Sequence, residues 1–202
     1  MLKLRKNKFI LGITGGIGCG KSTVALMFKN KDCLLIDADR LAHELVAYNP
    51  SVYREIVKTF GAKILDENNA IDRKKLGKIV FAHPAALAKL NCILHPKLIR
   101  QIKDLIRGTR KKNIVLDAPL IVEAGLTKLV DKLIVVVAQK KQQLLRSKKS
   151  LGLSQTQAAE RVKSQISQKA KSRFADFIID NSGGLSKTAK QVSKIRRQLW
   201  KS

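Results

Sequence analysis

The segment Gly15-Gly16-Ile17-Gly18-Cys19-Gly20-Lys21-Ser22 fits G-x-x-x-x-G-K-[ST], a phosphate-binding loop. Glycines let the backbone wrap until successive N–H groups point at phosphate oxygens. A helix N-terminus beyond the loop adds partial positive charge. Lys21 is placed to reach the outer phosphates, Ser22 to ligate Mg²⁺, and Thr23 follows it into the helix. Gly16, Gly18, Cys19 and Gly20 complete the set that would hold a nucleoside triphosphate, by offering backbone rather than side chains. Cys19 is read as a small loop filler, the alternative being an oxidant-sensitive thiol. Further along, Asp37-Ala38-Asp39 offers two carboxylates. One suits orientation of Mg²⁺ through water and the other a hydrogen bond from an attacking hydroxyl; the competing role is a helix cap. Asp117 ends an apolar run as an acid facing Mg²⁺ does, with Glu123 trailing it, and here too capping is the alternative. Arg146 heads the cationic run Arg146-Ser147-Lys148-Lys149, and Arg161 is a second candidate arginine for charge developing on a transferring phosphoryl group; the alternative for each is a solvated face.

These residues need elements to hold them. Phe9–Ile13, Cys33–Ile36, Asn113–Leu116, Leu133–Val137 and Phe177–Ile179 are short apolar runs that predict five buried strands. Val24, Met27 and Phe28 recur at helical spacing directly after the glycine loop. From about Leu41 to Arg107 the pattern is almost wholly helical. Gly61 reads as a helix stop, Asp66–Ala70 as a turn, and Asp72 as the cap of a helix carrying Leu76, Ile79 and Val80. His83-Pro84 and His95-Pro96 predict two further helix starts. Gln142–Lys149 predicts a helix, Ser154–Gln157 a capping box ahead of another, and Ser186 the cap of a last helix with Val192, Ile195 and Leu199 inward. Strands alternating with helices predict a parallel α/β sheet, whose ligands sit at the carboxyl ends of the strands. The glycine loop, Asp37 with Asp39, Asp117, and Asp180-Asn181 all fall there.

Composition narrows the class. The 202 residues and 45% apolar content suffice for one core with insertions. No apolar run approaches membrane-spanning length, and the run after the basic Met1–Lys8 is too short for a leader, so the expected location is the cytoplasm, with no membrane partner. The three cysteines and three histidines show no metal-ligand spacing; His95 suits either an acceptor pocket or packing. Lys plus Arg number 41 against 15 acids, a net charge of +26. The basic residues are dispersed and aromatic residues are few, so nucleic acid is expected to bind only non-specifically, through charge. A monomer or weak oligomer is the expected state.

Taken together, the sequence resembles the dephospho-CoA kinase family almost end to end. The resemblance runs through Gly12–Val24, Ile36-Asp37-Ala38-Asp39 with His43 following, Phe60-Gly61, Ile71-Asp72-Arg73, His95-Pro96, and Asp117-Ala118-Pro119-Leu120 with Glu123. It continues through Gln143, Arg146, Arg161, Gln165, Lys169, Ala175-Asp176 and Ile179–Gly183. The glycine loop is shared by many NTPases; the Asp-Ala-Asp, His-Pro and Asp-Asn-x-Gly combination is more specific. The resemblance implies an α/β fold: a five-stranded parallel P-loop core over 1–40, 108–139 and 174–202, a helical acceptor-binding insert over 41–107, and a two-helix lid over 140–173. It implies ATP and Mg²⁺ as cofactors and transfer to the 3′-hydroxyl of dephospho-CoA, the last step of coenzyme A synthesis. Lys21, Asp39 and Arg146 take the catalytic roles, with Arg146 and Asn181 also at ATP. His43, His95, Asp117 and Arg161 join Asp39 on the acceptor side, and Ser22, Asp37 and Asp117 serve the metal. One departure is Ser150, where a second lid arginine is expected; Lys148 or Lys149 lacks its bidentate fork. The rivals are another small-molecule or nucleotide kinase, and a nucleic-acid-binding P-loop ATPase.

Overall fold

A computed structural model describes residues 7–151, 154–163 and 165–200. Five strands form: β1 (Phe9–Gly15), β2 (Cys33–Asp37), β3 (Asn113–Asp117), β4 (Lys132–Val137) and β5 (Phe177–Asp180). They make one all-parallel sheet in the order β2-β3-β1-β4-β5. The continuous apolar runs are explained by burial on both faces. Leu11, Ile13, Val115, Ile134 and Val136 share one core with Val24 and Phe28 of helix α1 (Lys21–Phe28) and Val192 and Ile195 of helix α9 (Leu185–Leu199). The residues between them along the strands, Ile10, Ile114, Leu116 and Val135, are also fully buried.

Between β2 and β3 lie α2 (Ala38–Tyr48), α3 (Pro50–Phe60), α4 (Arg73–Ala82) and α5 (Pro84–Gly108). The other helices, α6 (Lys140–Leu151), α7 (Gln155–Lys163) and α8 (Gln168–Ser172), connect β4 to β5. The chain divides into two compact units, Met1–Asp37 with Ile106–Ser202, and Ala38–Leu105.

The second unit has its own core of Leu45, Val52, Ile56, Phe60, Ile64, Leu76 and Val80, with Leu87, Leu90 and Leu94 packed against it. Local signals fix its helix ends. Asn49 accepts the Ser51 and Val52 N–H groups, with Pro50 at the first helical position. Gly61 ends α3 at φ 77°. Asp72 caps α4 by accepting the Lys74 and Lys75 N–H groups, and Asp66 closes the turn before it by accepting from Asn68 and Ala70.

Three local expectations fare differently. Pro96 starts no new helix; it lies inside α5, which runs unbroken for 25 residues. Proline there removes one helical donor, and apolar residues on both sides of it, Ile93, Leu94 and Leu98, pack against the core and carry the helix across. Ser186 is not the cap of α9; Gly184 is, two residues earlier. The capping box at Ser154 and the departure at Ser150 depend on side chains outside the described residues. Among the described residues no helix is long and apolar enough to cross a membrane.

Candidate active site

The glycine loop leaves β1 at Gly15 and enters α1 at Lys21. Gly18 (φ 69°) and Gly20 (φ 82°) hold left-handed backbone that only glycine adopts without strain. Space excludes a side chain as well: a Cβ on Gly18 would stand 2.2 Å from the Gln143 carbonyl oxygen, and one on Gly20 2.2 Å from Asn181 Nδ2. Gly20 occupies the cap position of α1 without a side-chain cap, and no acid lies in the first turn. The loop therefore presents N–H groups and a helix N-terminus, the physical requirement for holding phosphate. Lys21 Nζ lies 3.4 Å from the Gly16 carbonyl oxygen, curled over the loop, and Ser22 is exposed on the first turn.

At the same edge the strand register aligns the acids. Asp117 on β3 pairs in register with Ile13 of β1 on one side and with Asp37 of β2 on the other. Asp117 is buried and Asp37 half-buried. The turn after Asp117 is pinned. The Ala118 N–H donates to the Ile13 carbonyl (3.0 Å), and Thr14 Oγ1 donates to the Pro119 carbonyl (2.9 Å). Lys171 from α8 donates to the same Pro119 oxygen at 2.6 Å and pairs with Glu123 at 2.8 Å. The Lys171 side chain is wholly buried. Burial pushes its ammonium below the usual lysine value, and Glu123 pulls it back. The sequence offers Glu123 as an acid trailing Asp117, for the metal or for capping; the structure pairs it with Lys171, which no motif marks. Nothing distinguishes that lysine from its neighbours Lys169 and Arg173 except where the short helix turns it.

Helix α6 and the segment after β5 close over the loop from the other side. Arg146 donates to the Asn181 carbonyl (3.0 Å). Asn181 in turn donates through Nδ2 to the Cys19 carbonyl (2.8 Å) and accepts from Thr188 Oγ1 (2.8 Å). The Asn181 side chain thus holds the loop in shape. Gln165 Oε1 accepts the Ile17 N–H at 3.1 Å, and buried Gln143 anchors α6 by donating to the Ala138 carbonyl. Gln168 accepts the Ala138 N–H and stands 3.6 Å from Cys19 Sγ. Burial raises the Cys19 pKa, partly offset by the charge of Lys21, so the thiol is held protonated. That chemistry suits a packed filler rather than a reactive thiolate.

The structure thus gathers Gly16, Gly18, Cys19, Gly20, Lys21, Ser22, Thr23, Asp37, Asp117, Arg146 and Asn181 at one end of the core. Arg161 lies half-buried on α7. Asp39, His43 and His95 belong to the helical unit. Asp39 is exposed in the first turn of α2; the strand ends at Asp37, so the two carboxylates are parted by a strand-to-helix change and not by alternation along an extended chain. His43, also exposed, accepts through Nε2 from the Arg73 guanidinium, which requires the neutral ring. His95 is half-buried within α5.

Hard oxygen donors suit Mg²⁺, and Ser22, Asp37 and Asp117 are of that kind. Among the described residues no three His, Cys, Asp or Glu side chains form a metal cluster. This donor set fits an ion that arrives with phosphate oxygens and keeps its waters, as Mg²⁺ does.

The family model for dephospho-CoA kinase matches residues 9–187. A dephospho-CoA kinase from Aquifex aeolicus is 43% identical, the alignment covering 94% of this chain and 96% of the relative. One from Carboxydothermus hydrogenoformans is 40% identical over 95% and 94% of the two chains. The solved structure of dephospho-CoA kinase from Campylobacter jejuni superposes with a TM-score of 0.67 at 31% identity, covering 95% of this chain and 97% of its own. A glycine loop in this setting, acids aligned at the strand ends and likeness along nearly the whole length lead to one assignment: the chain belongs to the dephospho-CoA kinase family.

Proposed function

We propose that the protein transfers the γ-phosphoryl group of ATP to the ribose 3′-hydroxyl of dephospho-CoA, giving coenzyme A and ADP. The supporting observation is the glycine loop set against Asp37 and Asp117 in a chain that matches the family along nearly its whole length. In a loose phosphoryl-transfer transition state the protein chiefly positions and neutralises charge. The loop amides and the start of α1 hold the phosphates. Lys21 sits over the outer phosphates, and Arg146, on the helix against the loop, answers the charge that develops on the equatorial oxygens. Asp39 orients the acceptor hydroxyl and accepts its proton late, so alignment matters more than basicity. Mg²⁺ bound with ATP lowers the charge on the β- and γ-oxygens; Ser22 would hold it directly, with Asp37 and Asp117 ordering its waters. Asn181 keeps the loop in shape and so acts on ATP through the backbone. His43, His95 and Arg161 line the acceptor side.

The helical unit is the acceptor-binding part, 140–173 the lid, and the remainder the core. We place the enzyme in the cytoplasm, as a monomer or weak oligomer. The test is acceptor choice. ADP release should be stimulated far more by dephospho-CoA than by AMP or adenosine, and equal turnover with all three would contradict the substrate assignment.

A further inference from the structure

The kinase reaction does not account for the charge of +26. Part of that charge collects at the end of the core opposite the glycine loop, where the parallel strands begin. Strand β1 is seven residues long, which sets roughly 20 Å between the two ends at ~3.3 Å per residue. At this far end Lys111 donates to the Lys31 carbonyl, so the loop before β3 lies on the loop before β2. Arg196 and Lys29 both act electrostatically on Cys33 at the start of β2, which brings α9 to the same place. Lys29, Lys31, Arg110, Lys111, Lys112 and Arg197 are all exposed here. Of these, Arg197 lines a cavity of about 630 Å³ together with Met27, Asn30, Asn113, Arg196 and Trp200, with Asp32 as its one carboxylate; Lys29, Lys31 and Lys112 adjoin its lining residues in the chain. Trp200 is the only tryptophan of the chain. Its edge meets Phe28, Arg196 stands 5.8 Å from its ring centre, and its buried Nε1 has no hydrogen-bond partner among the described residues.

We propose that this basic end is a binding surface for single-stranded nucleic acid, with one nucleotide seated in the Trp200 cavity. The cavity has the volume for a nucleotide. Lysines and arginines along both loops supply phosphate contacts, and the Trp200 ring, which lines the cavity, supplies a stacking partner for the base. Single strands fit better than duplex, because a paired base is not available to enter a cavity.

Trp200 makes the test site-specific. The full-length protein is titrated with a labelled oligothymidylate of about 12 nucleotides, a length within the range such sites take up. Label anisotropy and tryptophan emission are followed together over a series of salt concentrations. Binding should quench Trp200 and survive in Lys21→Ala and in saturating ATP with Mg²⁺. The double variant Arg196→Gln/Arg197→Gln should lower affinity at least tenfold and flatten the slope of log K against log salt by about 1.4, two phosphates at ~0.7 each. Lys111→Gln/Lys112→Gln, on exposed positions, should flatten it similarly, and both variants should keep kinase turnover. The proposal is overturned by loss of binding in Lys21→Ala, by unaltered binding in both double variants, or by heparin and duplex DNA binding equally well without change in Trp200 emission.

Discussion

Lys21 is the residue whose charge the proposed chemistry needs most directly. Lys21→Ala should keep a folded circular dichroism spectrum and lose turnover by roughly 10²-fold or more, the size expected for one preorganised electrostatic group. Asp39 and Asp37 separate by a different measurement. Asp39→Asn should lower kcat strongly with ATP affinity nearly unchanged, because it removes the charge that favours the hydroxyl proton. Asp37→Asn should raise the Mg²⁺ concentration needed for half-maximal rate. Wild-type kcat in the first variant together with abolished turnover in the second would reverse the roles. Lys171 ties Glu123 to the turn after Asp117 from a buried position. Lys171→Met strands Glu123 beside an apolar contact and frees the turn after Asp117. A stability loss of about 3 kcal/mol in urea unfolding is expected, the order seen when one member of a buried pair is removed. Adding Glu123→Gln should recover much of it, as a double-mutant cycle would read. At this scale the sequence showed which residue types were present. Motif spacing was enough to single out Lys21 and Ser22 where the glycine loop enters α1, and Asp37 and Asp117 where apolar strands end. Lys171 was hidden because burial of a lysine depends on tertiary contacts from a helix of five residues, and no periodicity marks it. The hydrogen bonds of Asn181 to Cys19 and Thr188 join residues far apart in the chain and were hidden for the same reason.

Helix ends were more legible than helix continuity. Asp72, Gly61 and the Asp66 turn act through neighbours in the chain, so their residue types alone sufficed. Pro96 misled because the local preference of a proline for a first turn was outweighed by core packing on both sides of it. The α4 cap gives a pH test. Hydrogen bonds from the Lys75 and Lys74 N–H groups hold the Asp72 carboxylate below its ordinary pKa of 3.8. The stability it contributes is complete above pH 3.8 and is lost as pH falls through the lower folded-state value. Asp72→Asn still offers an acceptor but does not titrate. Its acid unfolding curve should therefore lack that contribution, and coincident acid limbs for the two proteins would show that the cap has no part in acid stability.

At the scale of the molecule, the five strands and their parallel class were legible because continuous apolar runs between helices leave few other folds. Their order was not. It depends on which edges meet, and β1 ends between β3 and β4 with β2 displaced to the margin. That order has a consequence for synthesis. Phe9 of β1 takes its register from Asn113 of β3, and Cys33 of β2 takes its own from the same residue. The first two strands therefore leave the ribosome without their partner. At ~5–20 residues per second, the roughly one hundred residues that intervene keep β1 waiting for about 5–20 s. During that interval the helical segment Ala38–Leu105, a compact unit with its own apolar core, is complete and is expected to fold first. The expected order is the inserted unit first and the sheet second, with the Asn181 hydrogen bond to the glycine loop forming only after β5 has emerged, close to the end of translation.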